Sequence, residues 1–325
     1  MTVLPTYHDV VKAAERLKGH AHKTPLIQSD VINIMTGKTV WFKPECNQKV
    51  GAFKYRGAYN RLSVMRAKER AKGVVAYSSG NHAQGVSRSA KELGISAIIV
   101  MPQDAPQVKI NGVLADGAEI VFYDKATESR EEITETISTK TRRIIVPSFD
   151  DAYIIAGQGT VGLEIAQSDI DFDGLITCIG GGGLCAGISL VMEELSPQTK
   201  IFGAEPKHYN DHQMSLAAGT RKKLTAMLPT LCDALATPQP GELTWPINSK
   251  SLSAVFDVSD AACLNAMAIA KRELGVQLEP GGAVAMAALL GGALSDDASL
   301  QTICVILSGG NVDPEIAKRA DETFV

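Results

Sequence analysis

The sequence predicts an α/β protein whose sheets are parallel and covered by helices on both faces. Two observations carry that reading. Short β-branched runs alternate with longer helix-period segments along the 325 residues, and the runs are continuously apolar instead of alternating. A third observation concerns the turns that follow three of these runs, which are unusually rich in glycine and polar residues. In open parallel sheets, ligands bind beyond the carboxyl ends of the strands. Three such turns therefore point to one shared crevice.

In chain order, the predicted strands are GVVAYSS, AIIVMP, EIVFYD, RIIVPS, GLITCIG, KIFGAEP and TICVILS. The helical segments between them include HAQGVSRSAKELG, TVGLEIAQSD, LCAGISLVMEEL and SDAACLNAMAIAKRELG. The first unusual turn is Ser78-Ser79-Gly80-Asn81-His82, after GVVAY. The second is Gly180-Gly181-Gly182-Gly183, after LITCI, and the third is Ser308-Gly309-Gly310-Asn311, after TICVIL. No internal repeat or low-complexity linker interrupts the pattern.

Composition excludes several classes. Apolar residues at 45% and charged residues at 21% match a globular chain and rule out a disordered or fibrous one. A net charge of -4 without a Lys/Arg run makes nucleic acid and acidic membranes poor partners. No apolar stretch approaches the roughly 20 residues of a membrane span, and the start MTVLPTYHDVVKAAERLKG is amphipathic, not signal-like. Cys46, Cys178, Cys185, Cys232, Cys263 and Cys304 are scattered, several in apolar runs. They read as buried small hydrophobes in a reducing compartment, so a cytoplasmic protein is expected.

The tetraglycine is the plainest chemical signal. Without Cβ atoms, successive backbone N–H groups converge on an anion, and a helix N-terminus adds favourable partial charge. A tight turn needing positive φ is satisfied by one or two glycines, so four favour a phosphate. Neither the Lys-Ser/Thr of a P-loop nor the G-x-G-x-x-G of a dinucleotide site is present.

Lys54, in Gly51-Ala52-Phe53-Lys54-Tyr55-Arg56-Gly57-Ala58, has small and aromatic neighbours that would desolvate an amine nucleophile. Taken alone, it reads as a surface lysine lying along the protein on its stem. The Ser78 to His82 turn either caps the next helix or presents hydroxyls, an amide and backbone donors to a substrate carboxylate. Glu205 and Asp211, six apart around the turn in Glu205-Pro206-Lys207-His208-Tyr209-Asn210-Asp211, suit a hard divalent ion that keeps several waters. Two solvated acids are the ordinary alternative.

Together these pieces resemble the fold-type II pyridoxal-phosphate enzymes, the group containing serine and threonine dehydratases and serine racemase. The resemblance runs over nearly the whole chain through GAFKYRGAYN, SSGNHAQG, GQGTVGLE, the tetraglycine, EPKHYND, EPGGAVA and SGGN, in the family's order. It implies a tryptophan-synthase-β-like architecture of two domains with twisted, mostly parallel sheets and the cofactor in the cleft. The large domain would comprise residues 1–72 and 152–325, and residues 73–151 would form a small mobile one. By the same resemblance Lys54 forms the Schiff base with pyridoxal phosphate, Phe53 packs against its ring and Asn81 bonds the ring hydroxyl. The Gly180 to Gly183 loop holds the phosphate, and Ser308 lies against the pyridine nitrogen. Ser78, Ser79, Gly80, Asn81 and His82 receive the substrate carboxylate, and Ser79 matches the serine that works opposite the lysine in racemases. Glu205, Asp211 and the Tyr209 carbonyl match a magnesium-type site. A homodimer is the family's usual state.

The activity so implied is dehydration of a β-hydroxy-α-amino acid to a keto acid and ammonia, with Lys54 removing the α-proton. A neutral Ser308 does not hold a proton on the pyridine nitrogen as an Asp would, which favours expulsion of a β-leaving group over transamination. Arg130 aligns with an arginine facing the substrate side chain in racemase relatives, and a guanidinium there would bind a second carboxylate in bidentate fashion. Otherwise it is a solvated helix arginine in ESREE. The reading adopted is a 3-hydroxyaspartate dehydratase, with L-serine/L-threonine dehydration or serine/aspartate racemisation as alternatives. A non-catalytic pyridoxal-phosphate carrier would have no use for Ser79 or the Glu205/Asp211 pair.

Overall fold

The computed structural model describes residues 3–323. Among these residues nine strands form two sheets: β1 (Thr39–Pro44), β2 (Val74–Tyr77), β3 (Ala97–Pro102), β4 (Glu119–Tyr123), β5 (Ile144–Ile145), β6 (Gly174–Cys178), β7 (Lys200–Pro206), β8 (Leu252–Val258) and β9 (Thr302–Leu307). The larger sheet has the order β1-β9-β6-β7-β8 and the smaller β4-β3-β2-β5. Every strand pair in both is parallel. The predicted α/β class holds, and the continuous apolar runs are the reason. β3, β6 and most of β9 are buried along their length, as strands covered on both faces must be.

Sequence patterning missed β1 and β8, which form the two edges of the larger sheet. In β8 buried and exposed positions are mixed, so the run LSAVFDV does not stand out as a core strand. RIIVPS pairs over Ile144 and Ile145 only. It is an edge strand, and Pro147 two residues on has no N–H to extend the ladder.

The main core lies around the larger sheet and includes Val40, Phe42, Leu175, Ile176, Ile303, Val305 and the apolar helix Pro280–Leu290. A second cluster, with Val74, Ala76, Ile99, Met101, Ala83 and Val86, supports the smaller sheet. The helix Ala152–Ala166 packs on three others, the helices Tyr7–Leu17, Lys54–Ser63 and Gly183–Leu195. Its GQGTVG glycines make that close approach possible. A Cβ on Gly157 would stand 2.7 Å from the Arg56 carbonyl oxygen, and one on Gly159 2.7 Å from that of Gly187. Helix packing thus fixes the lysine segment relative to the glycine loop. No helix among the described residues is long and apolar enough to cross a membrane.

Candidate active site

The carboxyl ends of β2, β6 and β9 open onto one cavity of about 380 Å³. Lining it are Phe53, Lys54, the whole Ser78 to His82 turn, Arg130, the Gly180 to Gly183 loop and Ser308. The three polar turns therefore share a crevice, as their position after parallel strands predicts.

Lys54 is not a surface lysine. Its Nζ donates to the Ser148 carbonyl at 2.7 Å and lies 5.2 Å from the centre of the Phe53 ring. Burial lowers its pKa from 10.5 to about 8, enlarging the neutral, nucleophilic fraction. The segment is tied to the end of β9: the Phe53 amide donates to the Ser308 carbonyl at 3.2 Å, and Ala52 bridges Gly309. The Cys178 thiol donates to Ser308 Oγ at 3.2 Å, holding a neutral hydroxyl at the cavity wall.

The glycine loop is shaped by space as well as by dihedral angle. Only Gly182 has a positive φ, 92°. A side chain on Gly181 would overlap the Phe149 ring, one on Gly183 would meet the Phe149 carbonyl at 3.1 Å, and one on Gly180 would meet Leu235 Cα at 3.2 Å. The amides of Gly180, Gly181 and Gly182 donate to no acceptor among the described residues. Free N–H groups at the head of the helix Gly183–Leu195 form a cradle of the kind a phosphate fits.

The Ser78 to His82 turn heads a second helix, Asn81–Leu93. Ser78 Oγ accepts from the Gly80 amide at 3.1 Å. Asn81 is fixed by two partners, donating to Glu279 and accepting from Asn311 Nδ2 at 2.8 Å. His82 is buried with Nε2 3.0 Å from the Val146 carbonyl. Burial, reinforced by the charge of Lys54, lowers its pKa to about 3, so it is a neutral imidazole. Arg130 opens the helix Arg130–Thr141 at the cavity edge, with its guanidinium 5.0 Å above the Tyr77 ring and Nε 2.9 Å from Glu131.

Glu205, Asp211 and His212 form a separate, fully buried cluster at the carboxyl end of β7. The two acids are therefore not solvated. Glu205 accepts the amides of His212 and Gln213 at 3.0 and 3.1 Å, while neither Asp211 carboxylate oxygen has a hydrogen-bond partner. Burial raises the pKa of both acids. For His212, burial is outweighed by the adjoining carboxylates, which push it up to about 9. His212 Nδ1 faces both acids, and one ligand atom from each of the three residues lies close enough to the others to hold a metal ion. Tyr209 sits in the turn before Asp211, its hydroxyl donating to the Leu228 carbonyl at 2.9 Å.

Several residues of the site carry no legible signal. Ser148 and Phe149 lie in a loop, and Glu279 stood in a recognised motif without an assigned role. Glu279 has its pKa raised to about 6 by burial, against the pull of Lys109 3.6 Å away. Such contacts, 94 residues apart for Lys54 and Ser148 and 198 for Asn81 and Glu279, leave no trace in local pattern.

The family model described as "Pyridoxal-phosphate dependent enzyme" matches residues 17–309. The chain is 39% identical over 312 residues to the L-threo-3-hydroxyaspartate ammonia-lyase of Pseudomonas sp., covering 96% of this chain and 97% of that one. It is 37% identical over 313 residues to the serine racemase of Schizosaccharomyces pombe, covering 96% of each. Among solved structures, maize serine racemase superposes with a TM-score of 0.93 at 36% identity, covering 98% of this chain and 97% of that one.

Proposed function

The chain belongs to the family of pyridoxal-phosphate-dependent enzymes, and on that premise we propose that it is an ammonia-lyase that dehydrates 3-hydroxyaspartate. The observation that carries the reading is the meeting, in one cavity, of a desolvated lysine amine, a cradle of free amides, a neutral serine hydroxyl and a helix-heading polar turn. When bound, pyridoxal phosphate supplies a conjugated system that accepts the electron pair left at the substrate Cα.

The residues divide the remaining work. Lys54 attaches the cofactor and, once freed, takes the α-proton; its lowered pKa suits it to a base near neutral pH. The Gly180 to Gly183 amides would hold the phosphate, with Phe53 packed on the ring, Asn81 at the ring hydroxyl and Ser308 at the ring nitrogen. The substrate α-carboxylate sits on the Ser78 to His82 turn, where the helix N-terminus adds up to ~1 kcal/mol. His82, neutral and with its Nε2–H given to the Val146 carbonyl, has no side-chain donor left for that carboxylate and serves as part of the wall. Ser79, on the same turn, would face Cα opposite Lys54, where it would support racemisation as a side activity.

Substrate choice rests on Arg130. Its position at the cavity edge, above Tyr77, suits a second carboxylate, and the relative from Pseudomonas acts on L-threo-3-hydroxyaspartate. Glu131 competes for the same guanidinium, so substrate must displace it. Arg130→Ala should lower kcat/KM for the hydroxyaspartate roughly 10- to 100-fold, the equivalent of losing about 1.5–3 kcal/mol of charged hydrogen bonding. Activity on serine should not fall. An equal loss on both substrates, or none, returns the enzyme to L-serine or L-threonine dehydration.

We further infer a divalent cation at Glu205, Asp211 and the Tyr209 carbonyl, with magnesium the expectation for an all-oxygen set. Residues 73–151, which include all of the smaller sheet, would close as a unit over substrate. A homodimer is the proposed assembly. The six cysteines are all buried and unpaired, which supports a cytoplasmic setting.

A further inference from the structure

We propose that His212 supplies a nitrogen ligand to the Glu205–Asp211 cation site, which therefore takes a divalent transition-metal ion such as Mn2+ in preference to Mg2+ or Ca2+. This deepens, and rests on, the cation-site reading above.

The cluster is built, not incidental. Glu205, Asp211 and His212 are each 0% exposed, and one ligand atom from each lies within 4.8 Å of the others. Both Asp211 oxygens and His212 Nδ1 are buried without a hydrogen-bond partner. Buried polar atoms left open in this way cost on the order of 1–3 kcal/mol each unless something fills the space. Nδ1 is aimed between the two acids, 3.3 Å from Glu205 Oε1 and 3.5 Å from Asp211 Oδ2. An ion seated among these atoms would complete all three at once.

Donor chemistry then decides which ion. Mg2+ and Ca2+ are hard cations that take oxygen almost exclusively, and Mg2+ gives up its waters reluctantly. An imidazole nitrogen is a borderline donor suited to first-row transition ions. A site of two carboxylates and one imidazole leaves room for the Tyr209 carbonyl and water, which an octahedral Mn2+ accommodates.

The far side of the ring is also engaged. His212 Nε2 lies 3.4 Å from Asn248 Nδ2, which donates to the Gly182 carbonyl at 3.2 Å. When Nδ1 gives its lone pair to an ion, Nε2 carries the proton and needs an acceptor. Asn248 Oδ1, buried and without a partner, becomes that acceptor if the amide turns over. Turning the amide over gives up its bond to the Gly182 carbonyl, so Asn248 serves either the glycine loop or the ion's ligand.

The test uses the chelator-treated holoprotein, titrated separately with Mn2+, Mg2+ and Ca2+, followed by pulsed EPR of the bound Mn2+. The expected result is Mn2+ binding tighter than Mg2+ or Ca2+ by on the order of 10- to 100-fold. The Mn2+ signal should carry the nitrogen modulation of a coordinated imidazole, which shifts when the histidines are 15N-labelled. His212→Gln should remove the modulation and most of the Mn2+ preference. The wild-type spectrum decides the matter even if that variant does not fold. Binding of the ions without imidazole modulation overturns the inference and leaves an all-oxygen cation site standing. No binding of any ion overturns the cation site as well, and makes His212 the positive charge that closes it.

Discussion

In water, a lysine amine at neutral pH is almost wholly protonated and makes a poor nucleophile. At Lys54, burial in the cleft brings the pKa down to about 8. The sign fixes a pH dependence. The neutral amine is the reactive form, so the rate at which the apoprotein takes up pyridoxal phosphate should rise with pH and fall as pH drops through about 8. Absorbance-monitored loading across pH checks this, and a midpoint near the ordinary 10.5 would mean that the amine is solvated. The sequence alone could not deliver this. GAFKYRGA names a lysine with apolar neighbours, but its burial depends on segments far along the chain, such as the one that places the Ser148 carbonyl at Nζ. Arg130 and the Glu205–Asp211 pair illustrate the same limit. Their residue types were legible, whereas the burial of the acids and the pairing of Arg130 with Glu131 came only with the fold.

The elements were more legible than the contacts between them, because strand and helix periods are local properties of the chain. Interior strands such as β3 and β6 announce themselves through unbroken apolar runs, while the edge strands β1 and β8 do not. The tetraglycine shows how a local signal can have a non-local cause. Positive φ explains Gly182, but Gly181 is a glycine because the Phe149 ring fills the space a side chain would need. Gly181→Ala should therefore tilt the loop and weaken cofactor binding, with overpacking costing about 1–3 kcal/mol. Titrating the apoprotein with pyridoxal phosphate reads the affinity, and the apoprotein's own Tm serves as the control. A lowered Tm with unchanged affinity would make the glycine a packing residue only. Similarly, the GQGTVGLE motif marks close helix packing and not a ligand site: its glycines let three helix backbones meet behind the cavity.

Across the whole molecule, the two sheets direct different turns into the same space. The smaller sheet brings Ser78 to His82 and, at the head of a following helix, Arg130. The larger brings the glycine loop and Ser308. Two helix N-termini thus converge, one suited to a carboxylate and the other to a phosphate. Behind them, Arg56 is buried between Glu45 at 2.7 Å and Glu164 at 2.6 Å, with Lys43 also 2.6 Å from Glu164. Arg56 stands in the same motif as Lys54, so this network anchors the lysine segment to the larger sheet's side of the cleft. Breaking such a buried pair is far costlier than never having built it. The ordered markers made the architecture readable, but the ion network was not, since its partners lie up to 121 residues apart. The central claim is that this cleft uses Lys54 to expel water from a β-hydroxy amino acid. Its most direct test is keto-acid release by the holoenzyme and by Lys54→Ala, offering serine, threonine and the stereoisomers of 3-hydroxyaspartate side by side. The account predicts oxaloacetate from a hydroxyaspartate as the fastest product, abolished by the substitution. Release that survives in Lys54→Ala, or no keto acid from any of the substrates, would contradict it.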